Sequence, residues 1–187
     1  MTTIRTVSEL ETLYGTPNPG SLKKEISRLT PDYRRWIEAA PFLVIATSGP
    51  GGLDCSPRGD AKGQLFNVID DATLAIPDRR GNNRLDTLRN IVTDPRVALI
   101  FLVPGISEGV RINGRAEIST DRQLIERFGV GETTPRTVIV VGIESVYFQC
   151  GRAITRARLW DPAAHANRES VPTAGQLMKT AAPNQGS

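Results

Sequence analysis

The chain has 187 residues, of which 39% are hydrophobic and 23% charged, with a formal net charge of +3; these values are typical of one soluble globular domain with a single core. One histidine, His165, and two cysteines, Cys55 and Cys150, cannot supply a closed zinc site or an HExxH pair, and a serine triad would depend on His165 alone. No run approaches the roughly 18 apolar residues of a membrane span and the N-terminus lacks the apolar region of a signal peptide, so we expect a cytoplasmic protein with free thiols and no membrane contact.

Two short amphipathic helices are predicted between residues 7 and 29, because apolar residues recur there at spacings of three and four. They are separated by the segment 15–20, in which glycines and prolines interrupt the pattern. A third helix is predicted to begin after Thr30, a suitable N-cap residue followed by Pro31, and to end before Pro41.

The chain from residue 42 to residue 148 predicts short strands joined by turns. The predicted strands are 42–47, 53–59, 65–69, 73–76, 97–103, 109–118 and 137–148, and the predicted helices among them are 83–92 and 121–128. A bulge is expected in the last strand at Gly142. This layout predicts a mainly β fold with peripheral helices (α+β), in which six or seven antiparallel strands close into a small barrel.

Three regions are expected along the chain: an N-terminal helical region over residues 1–40, the barrel domain over 41–162 and a C-terminal tail over 163–187. The last region has no periodicity, and we expect a loose tail or an arm that wraps a partner. His165 lies there, so a solvated role is expected for it rather than a catalytic one.

Arginine accounts for 19 of the 23 basic residues, and its forked guanidinium suits carboxylates and phosphates. The densest arginine signal follows the fourth predicted strand, where Arg79, Arg80 and Arg84 precede a helix. The first amides of that helix and the positive end of its dipole can meet a phosphate. The alternative is a capped, solvated turn in which Asn82 or Asn83 serves only as the N-cap.

Three further segments place polar and basic groups at strand edges. The segment 55–60 offers a hydroxyl, a guanidinium and a carboxylate within a few residues, and Pro57 interrupts the sheet ladder there. The sixth predicted strand alternates Arg111 and Asn113 on one face, and the segment 148–160 carries more arginines. Taken alone, each basic segment is as consistent with a solvated face as with a ligand site.

Taken together, these segments resemble the FMN-binding split barrels related to pyridoxamine 5′-phosphate oxidase, and most closely a bacterial subgroup of them. The resemblance covers about residues 9–162, and its longest shared pattern is IPDRRGNNRLDTLRN at 76–90. The shorter shared motifs are SPRGD at 56–60, FLVPG at 101–105, RINGRA at 111–116 and QCGRAITRARLW at 149–160.

The resemblance implies a six-stranded antiparallel split β-barrel that forms a homodimer and binds two FMN molecules at the subunit interface. In that arrangement the phosphate would be held by Arg79, Arg80, Asn82, Asn83 and Arg84. The ring and ribityl side would be lined by Ser56, Pro57 and Arg58, with Ile76, Pro77 and Asp78 completing this part of the site. The second chain would close the cleft with Arg111, Asn113, Cys150, Arg152 and Arg158.

Two departures from the family pattern limit what the resemblance implies. Where the subgroup has Lys and Ser, this chain has Arg152 and Ala157, so the positive charge is kept and a hydroxyl is lost. The C-terminal substrate motif of the vitamin-oxidising members is absent, because only His165 follows the last tryptophan. We therefore expect an FMN-dependent oxidoreductase acting on an unidentified small molecule, and not a pyridoxamine phosphate oxidase.

Several alternatives stay open from the sequence. A flavin-binding protein without turnover, used for storage or sensing, fits the same motifs, as does a relative that holds a deazaflavin or haem. Haem is disfavoured because His165 lies outside the barrel. Nucleic-acid binding is disfavoured because 20 acidic residues balance the arginines and aromatic residues make up only 5% of the chain. Cys55 and Cys150 are expected to pack in the core.

Overall fold

The fold, taken from a computed structural model, is described for residues 3–16, 20, 24–129 and 134–181. Within them, seven antiparallel strands form one sheet with the order β2-β1-β5-β6-β7-β4-β3. The strands are β1 (Phe42–Gly49), β2 (Gly52–Gly59), β3 (Asn67–Asp70), β4 (Thr73–Pro77), β5 (Arg96–Leu102), β6 (Gly109–Ser119) and β7 (Val138–Gln149). The predicted mainly β class is confirmed, with seven strands where the resemblance implied six.

Short helices surround this sheet. Those that the structure describes as α-helices of five residues or more are α1 (Val7–Tyr14), α2 (Pro31–Glu38), α3 (Asp86–Thr93), α4 (Arg122–Glu126), α5 (Arg152–Ala157) and α6 (Ala174–Ala181). The start of α2 is as predicted, because the Thr30 hydroxyl accepts a hydrogen bond from the Tyr33 amide at 3.3 Å and Pro31 occupies the first helical position. Ile37 of α2 is fully buried, so this helix packs on the barrel core.

The predicted helix that ends near residue 29 is wrong over residues 24–29; residues 21–23 lie outside the described part of the chain. Ile26 instead pairs with Val146 of β7 through two backbone hydrogen bonds of 3.1 and 2.7 Å. The Leu29 amide donates to the Asp71 carbonyl at 2.7 Å. Partners distant in sequence thus satisfy this backbone, and local periodicity does not reveal them.

The core lies on the inner face of the sheet, where strand residues alternate with outward-facing ones. Four of its side chains are fully buried, namely those of Leu43, Ile45, Phe101 and Ile112. Phe66 packs edge to face against Phe101, with ring centroids 5.1 Å apart. Burying each such side chain contributes roughly 1.5–3 kcal/mol. This core fixes which strand residues are left to face outward.

The other face of the sheet, here called the outer face, carries a different set of residues. One row of directly paired residues crosses five strands, and its members are Pro57, Val44, Ile100, Arg111 and Tyr147. The next row contains Cys55, Ala46, Ala98, Asn113 and Ser145. The middle of the outer face is therefore apolar, and its β6–β7 side is polar and basic.

The bulge in β7 falls at Glu144 and not at Gly142. Asn113 pairs with Ser145 and Gly114 pairs with Ile143, so Glu144 is the extra residue. Gly142 has a different role: a Cβ on Gly114 would lie 2.1 Å from its carbonyl oxygen. The two strands thus approach closely where Gly114 has no side chain.

After β7 the chain leaves the sheet. The Trp160 indole donates to the Ile106 carbonyl at 2.8 Å and anchors the segment that follows α5. Residues 163–181 are all exposed, including His165, but they are not irregular throughout, because α6 and two short 3₁₀ turns lie among them. The expected loose tail or partner-wrapping arm stays a prediction for this segment. Among the described residues, no helix has the length and apolar character that crossing a membrane would require.

Candidate functional site

The junction between β4 and α3 has an unusual backbone. Ile76 and Pro77 are buried at the end of β4, and the Asp78 amide donates to the Thr137 carbonyl at 3.0 Å. Beyond this point residues 80–85 are exposed. Leu85 occupies the N-cap position of α3 at φ 60°, a left-handed conformation uncommon for a leucine, and gives the helix no side-chain cap. The first amides of α3 are therefore open to an external acceptor.

The two asparagines of this junction do not cap the helix. The Asn82 side-chain oxygen accepts a hydrogen bond from the Arg84 amide at 3.1 Å, which closes a turn before the helix begins. Asn83 also has a φ of 60°. The capped-turn alternative is wrong in its assignment of the N-cap, which is Leu85.

A hydrogen-bonded group that we call the β2–α3 cluster joins the inner side of β2 to the first turn of α3; it consists of Asp54, Ser56, Arg58 and Thr87. The Ser56 hydroxyl donates to Asp54 Oδ2 at 2.9 Å, and the Thr87 hydroxyl donates to the same oxygen. Arg58 Nη2 donates to Thr87 Oγ1 at 3.2 Å. The cluster brings predicted residues Ser56 and Arg58 to the helix start.

Asp54 and Thr87 were missed by the sequence analysis, although a signal for Asp54 was present. Asp54, Ser56 and Arg58 are two residues apart along β2, so they share one face of the strand. Thr87 is 4% exposed on the buried side of α3. Its place could have been inferred only from the packing of the helix on the sheet.

Asp78 lies close to Arg58 at the end of β4. Burial raises the pKa of the Asp78 carboxyl, and the positive charge of Arg58 acts in the opposite direction. Arg58 therefore hydrogen-bonds within the β2–α3 cluster and also acts electrostatically on Asp78. This arrangement gathers three of the predicted residues, Ser56, Arg58 and Asp78, at one end of the barrel.

Arg79 is tied to its own chain by all three guanidinium nitrogens. Nε donates to Asp60 Oδ2 at 2.8 Å, Nη1 to the Phe128 carbonyl at 2.6 Å and Nη2 to the Gln64 carbonyl at 3.2 Å. Since a guanidinium has five N–H groups, two are left for other acceptors. In this structure Arg79 connects the loop after β2 and the end of α4 to the start of the β4–α3 junction.

Arg84 has a different environment from Arg79. Its Nε donates to Asp86 Oδ2 at 2.8 Å, and its side chain is 75% exposed. Arg80 is also exposed. These two arginines are free to turn toward a ligand at the uncapped end of α3, whereas Arg79 would have to break contacts that hold the loops together.

A cavity of about 490 Å³ lies between the β1–β2 turn and α3. Its lining includes Arg84 and Arg89, together with Asp54 and Asp86. Asn90 supports it, because its Nδ2 donates to Thr47 Oγ1 at 3.2 Å and to the Gly52 carbonyl at 3.3 Å. Arg89 was not among the predicted site residues, since its position in the helical pattern gave no reason to separate it from a solvated face.

Arg111 and Asn113 lie on the outer face, opposite to Ser56 and Arg58. The Arg111 guanidinium is 5.3 Å from the centre of the Tyr147 ring, and Asn113 Nδ2 donates to Ser145 Oγ at 3.2 Å. In the row that contains Pro57, Arg111 is three strands away, about 14 Å at the usual strand spacing. Within one chain, the structure does not bring the two predicted sets into one cleft.

Cys150 and Arg152 follow β7 at the edge of the outer face. A hydrogen bond from the Arg152 backbone lowers the pKa of the Cys150 thiol, and desolvation opposes it. The Arg152 side chain and the charges of Arg152 and Lys24 lower the pKa further. Arg158 points elsewhere, because its Nη2 lies 2.6 Å from Asp161 Oδ2. Cys55 and Cys150 are both exposed free thiols, so the expectation that they pack in the core was wrong.

Comparison with known proteins agrees with this architecture. The family model described as "Pyridoxamine 5'-phosphate oxidase" matches residues 29–150, which is well over half of the chain. No curated protein matches the chain. Two crystal structures of HupZ from Group A Streptococcus are similar in fold, with TM-scores of 0.52 and 0.51 and 20% identity, and they cover 64% and 63% of this chain and 98% and 91% of theirs.

A protein of Lactobacillus delbrueckii, named as a pyridoxamine 5′-phosphate oxidase, has a TM-score of 0.50 and 22% identity over 65% of this chain and 95% of its own. At these identities the solved structures show the fold alone. They support the antiparallel split barrel with added helices, and the family match supplies the assignment. The chain therefore belongs to the pyridoxamine 5′-phosphate oxidase family.

Proposed function

We propose that the protein is an FMN-dependent oxidoreductase that acts on a small molecule as a homodimer. The observation that carries the proposal is the junction before α3, where an uncapped helix start lies beside the exposed Arg80 and Arg84 and next to the β2–α3 cluster. A phosphate fits such a place, because amide groups, the helix dipole and guanidinium forks all favour an anion.

The residues of the cluster suit the remainder of the cofactor. Ser56 and Thr87 carry hydroxyls that now donate to Asp54, and the same groups can exchange hydrogen bonds with the hydroxyls of a ribityl chain. A bound flavin supplies hydride or electron transfer itself. The chain then needs only to bind it, orient it and exclude water, which agrees with the lack of an evident acid, base or nucleophile set in the predicted site.

An apolar region of the outer face supports the proposed dimer. Its centre on β1 and β5 is an apolar stripe of partly exposed side chains, namely Phe42, Val44, Ala46, Ala98, Ile100 and Leu102. Beside it on the edge strand, Leu53 is 88% exposed. An apolar stripe of this kind is typical of a surface that another chain covers.

A two-fold axis through this stripe also accounts for the divided site. In a two-fold interface both chains use the same patch. With the axis parallel to the strands, the β6–β7 side of one chain would meet the β2 side of the other. Arg111 and Asn113 of one chain would then approach Pro57 of the second. Such a dimer would bring Arg111 and Asn113 to the Pro57 edge of the second chain's site, which a single chain cannot do.

The first experiment is the visible absorbance spectrum of the freshly purified protein, followed by heat release and mass determination of the chromophore. A flavin spectrum with the mass of FMN, in a particle of twice the chain mass by light scattering, is the expected result. Steady-state consumption of NAD(P)H with an acceptor then separates an oxidoreductase from a flavin-binding protein without turnover. A colourless protein that also fails to bind added FMN would contradict the proposal.

A further inference from the structure

We propose that Lys24, Arg111 and Arg152 form an anion-binding patch around Tyr147 and Cys150, which recognises a carboxylate or phosphate group of the small-molecule substrate. We call these five residues the cationic patch. The positions of the three cations support the anion binding. Its assignment to a substrate rests on the proposed function.

Two of the cations share one aromatic ring. Lys24 Nζ is 5.8 Å from the centre of the Tyr147 ring and 4.8 Å from that of Phe148, and the Arg111 guanidinium is 5.3 Å from the Tyr147 ring. Cations at such distances from aromatic faces are attracted to the ring quadrupole. Lys24 and Arg111 therefore both lie within 6 Å of the Tyr147 ring, at the β6–β7 side of the sheet.

Arg152 brings a third positive charge to the same place. It acts on Cys150, which lies three residues after Tyr147, and the Lys24 charge also reaches that thiol. The three cations come from the segment before α2, from β6 and from α5, so they meet through the fold and not through sequence proximity. Gathering like charges costs energy that an anion would recover.

No carboxylate partner offsets these charges in the described part of the chain. The ion pairs there engage other arginines, among them Arg28, Arg79 and Arg84, and none of those pairs involves Lys24, Arg111 or Arg152. The patch also has the right donors, because an arginine fork pairs with two oxygens of an anion and a lysine supplies a compact charge.

The location of the patch connects it to the proposed cleft. Tyr147 and Arg111 belong to the same outer row as Pro57. In the proposed dimer the patch of one chain therefore borders the cleft of the other. An anionic group held there would fix one end of a substrate while its reacting end reaches the flavin, which favours anionic substrates over neutral ones.

Cys150 provides a reporter for this patch. The chain has two cysteines, so a Cys55→Ser background leaves Cys150 as the only thiol. The Arg152 backbone hydrogen bond lowers the pKa of this thiol most, and the charges of Arg152 and Lys24 lower it further. An anion bound beside these charges should offset their part, raise the pKa and leave less thiolate at pH 7. Alkylation by iodoacetamide, which is uncharged, should then become slower.

The test measures the rate of alkylation of flavin-free Cys55→Ser protein at pH 7 with inorganic phosphate, with succinate, and with sodium chloride at equal ionic strength. We expect phosphate or succinate to slow the reaction at least threefold and sodium chloride to have little effect. The anion that protects at the lower concentration identifies the group that the substrate carries. Lys24→Gln or Arg152→Gln should abolish the protection, whereas Lys179→Gln on α6 should preserve it.

Two results would overturn the inference. Equal rates in all three salts would mean that the patch binds no anion. Protection by FMN but not by riboflavin, at equal concentrations, would assign the patch to the cofactor phosphate and remove the substrate role. Absorbance of the same preparations keeps the two proposals apart, because a protein that takes up no FMN but shows anion protection would retain the anion site and lose only the flavin function.

Discussion

Arg58 Nη2 donates a hydrogen bond to Thr87 Oγ1 at 3.2 Å, and this contact joins β2 to the first turn of α3. Thr87 in turn donates to Asp54, which also accepts from Ser56. The hydroxyl of Thr87 is therefore the link between the strand that carries the predicted ring-binding residues and the helix that would meet the phosphate.

Replacing Thr87 by valine tests this link. Thr87→Val keeps the side-chain shape but removes one hydrogen bond from Arg58 and one from Asp54, so we expect the unfolding free energy to fall by about 1–3 kcal/mol. FMN affinity should fall as well, because the strand and the helix start lose their common partner. Urea unfolding and flavin titration measure the two effects.

The matched control for this change is Thr93→Val in the same helix. Thr93 is exposed and its hydroxyl donates only to the Arg89 carbonyl one turn earlier. Its replacement should change stability by no more than about 0.5 kcal/mol. Equal effects of the two replacements would show that the Thr87 contacts contribute nothing specific.

Arg79 and Arg84 are expected to differ in how they serve the cofactor. Arg84→Gln should weaken FMN binding about tenfold or more while leaving riboflavin binding nearly unchanged, because a charge-assisted contact to phosphate is lost. Arg79→Gln should lower the melting temperature of the flavin-free protein by several degrees, because three contacts between loops are lost. It should keep the preference for FMN over riboflavin.

The readout for these two variants is the ratio of the dissociation constants for riboflavin and FMN. That ratio is insensitive to a uniform loosening of the site, so it separates a phosphate contact from a positioning residue. A collapsed ratio in Arg79→Gln with an unchanged melting temperature would return Arg79 to the phosphate role that the sequence predicts.

The buried carboxyl of Asp78 predicts how the stability of the folded protein changes with pH. Burial raises the pKa of this carboxyl in the folded state, so the folded protein holds the proton more tightly than the unfolded chain, and stability is lost as pH rises through the folded pKa. Asp78→Asn should therefore raise the melting temperature at pH 7 by about 1–2 °C. The gain over the natural chain should disappear below the ordinary pKa of an aspartate, near pH 3.8.

Differential scanning calorimetry of both proteins from pH 3.5 to pH 8 measures this effect. Asp32→Asn on α2 is the control, because Asp32 is 84% exposed beside Arg35, and its removal should change the melting temperature little. A lower melting temperature for Asp78→Asn at pH 7 would mean that its pairing with Arg58 outweighs the cost of burial.

The strands and helices of the barrel were largely predictable, because the spacing of apolar residues along each element follows from which of its faces is buried. The failures have physical reasons that local pattern does not contain. The segment around Ile26 pairs with Val146, more than 100 residues away, and the bulge at Glu144 is set by how β6 and β7 meet at Gly114. Contacts of this kind are formed by the fold as a whole.

The candidate site was predictable in part. The arginines before α3 and the short β2 motif were found from composition and spacing, and the structure brings Ser56, Arg58 and Asp78 together at the end of the barrel. The anchored state of Arg79 could not be foreseen, because its acceptors lie in loops distant in sequence. Arginine density alone cannot separate a guanidinium that holds loops from one that is open to a ligand.

The proposed dimer makes the last prediction. Ile100 lies at the centre of the apolar stripe, between Val44 and Arg111 in the outer row. A charge there would have to be desolvated in an interface, at a cost of several kcal/mol, but would stay partly exposed in a single chain. Ile100→Asp should therefore yield a folded monomer.

Light scattering measures the particle mass, circular dichroism establishes folding, and the visible spectrum reports bound flavin. Loss of the dimer should be accompanied by loss of FMN, because Arg111 and Asn113 would no longer reach the cleft of a second chain. Val92→Asp, at a 78% exposed position of α3 that faces solvent, should keep the dimer.

If Ile100→Asp fails to fold, Ile100→Ser tests the same contact with a smaller penalty. A folded variant that remains dimeric would contradict this interface, and a folded monomer that retains FMN would show that one chain is sufficient for the site.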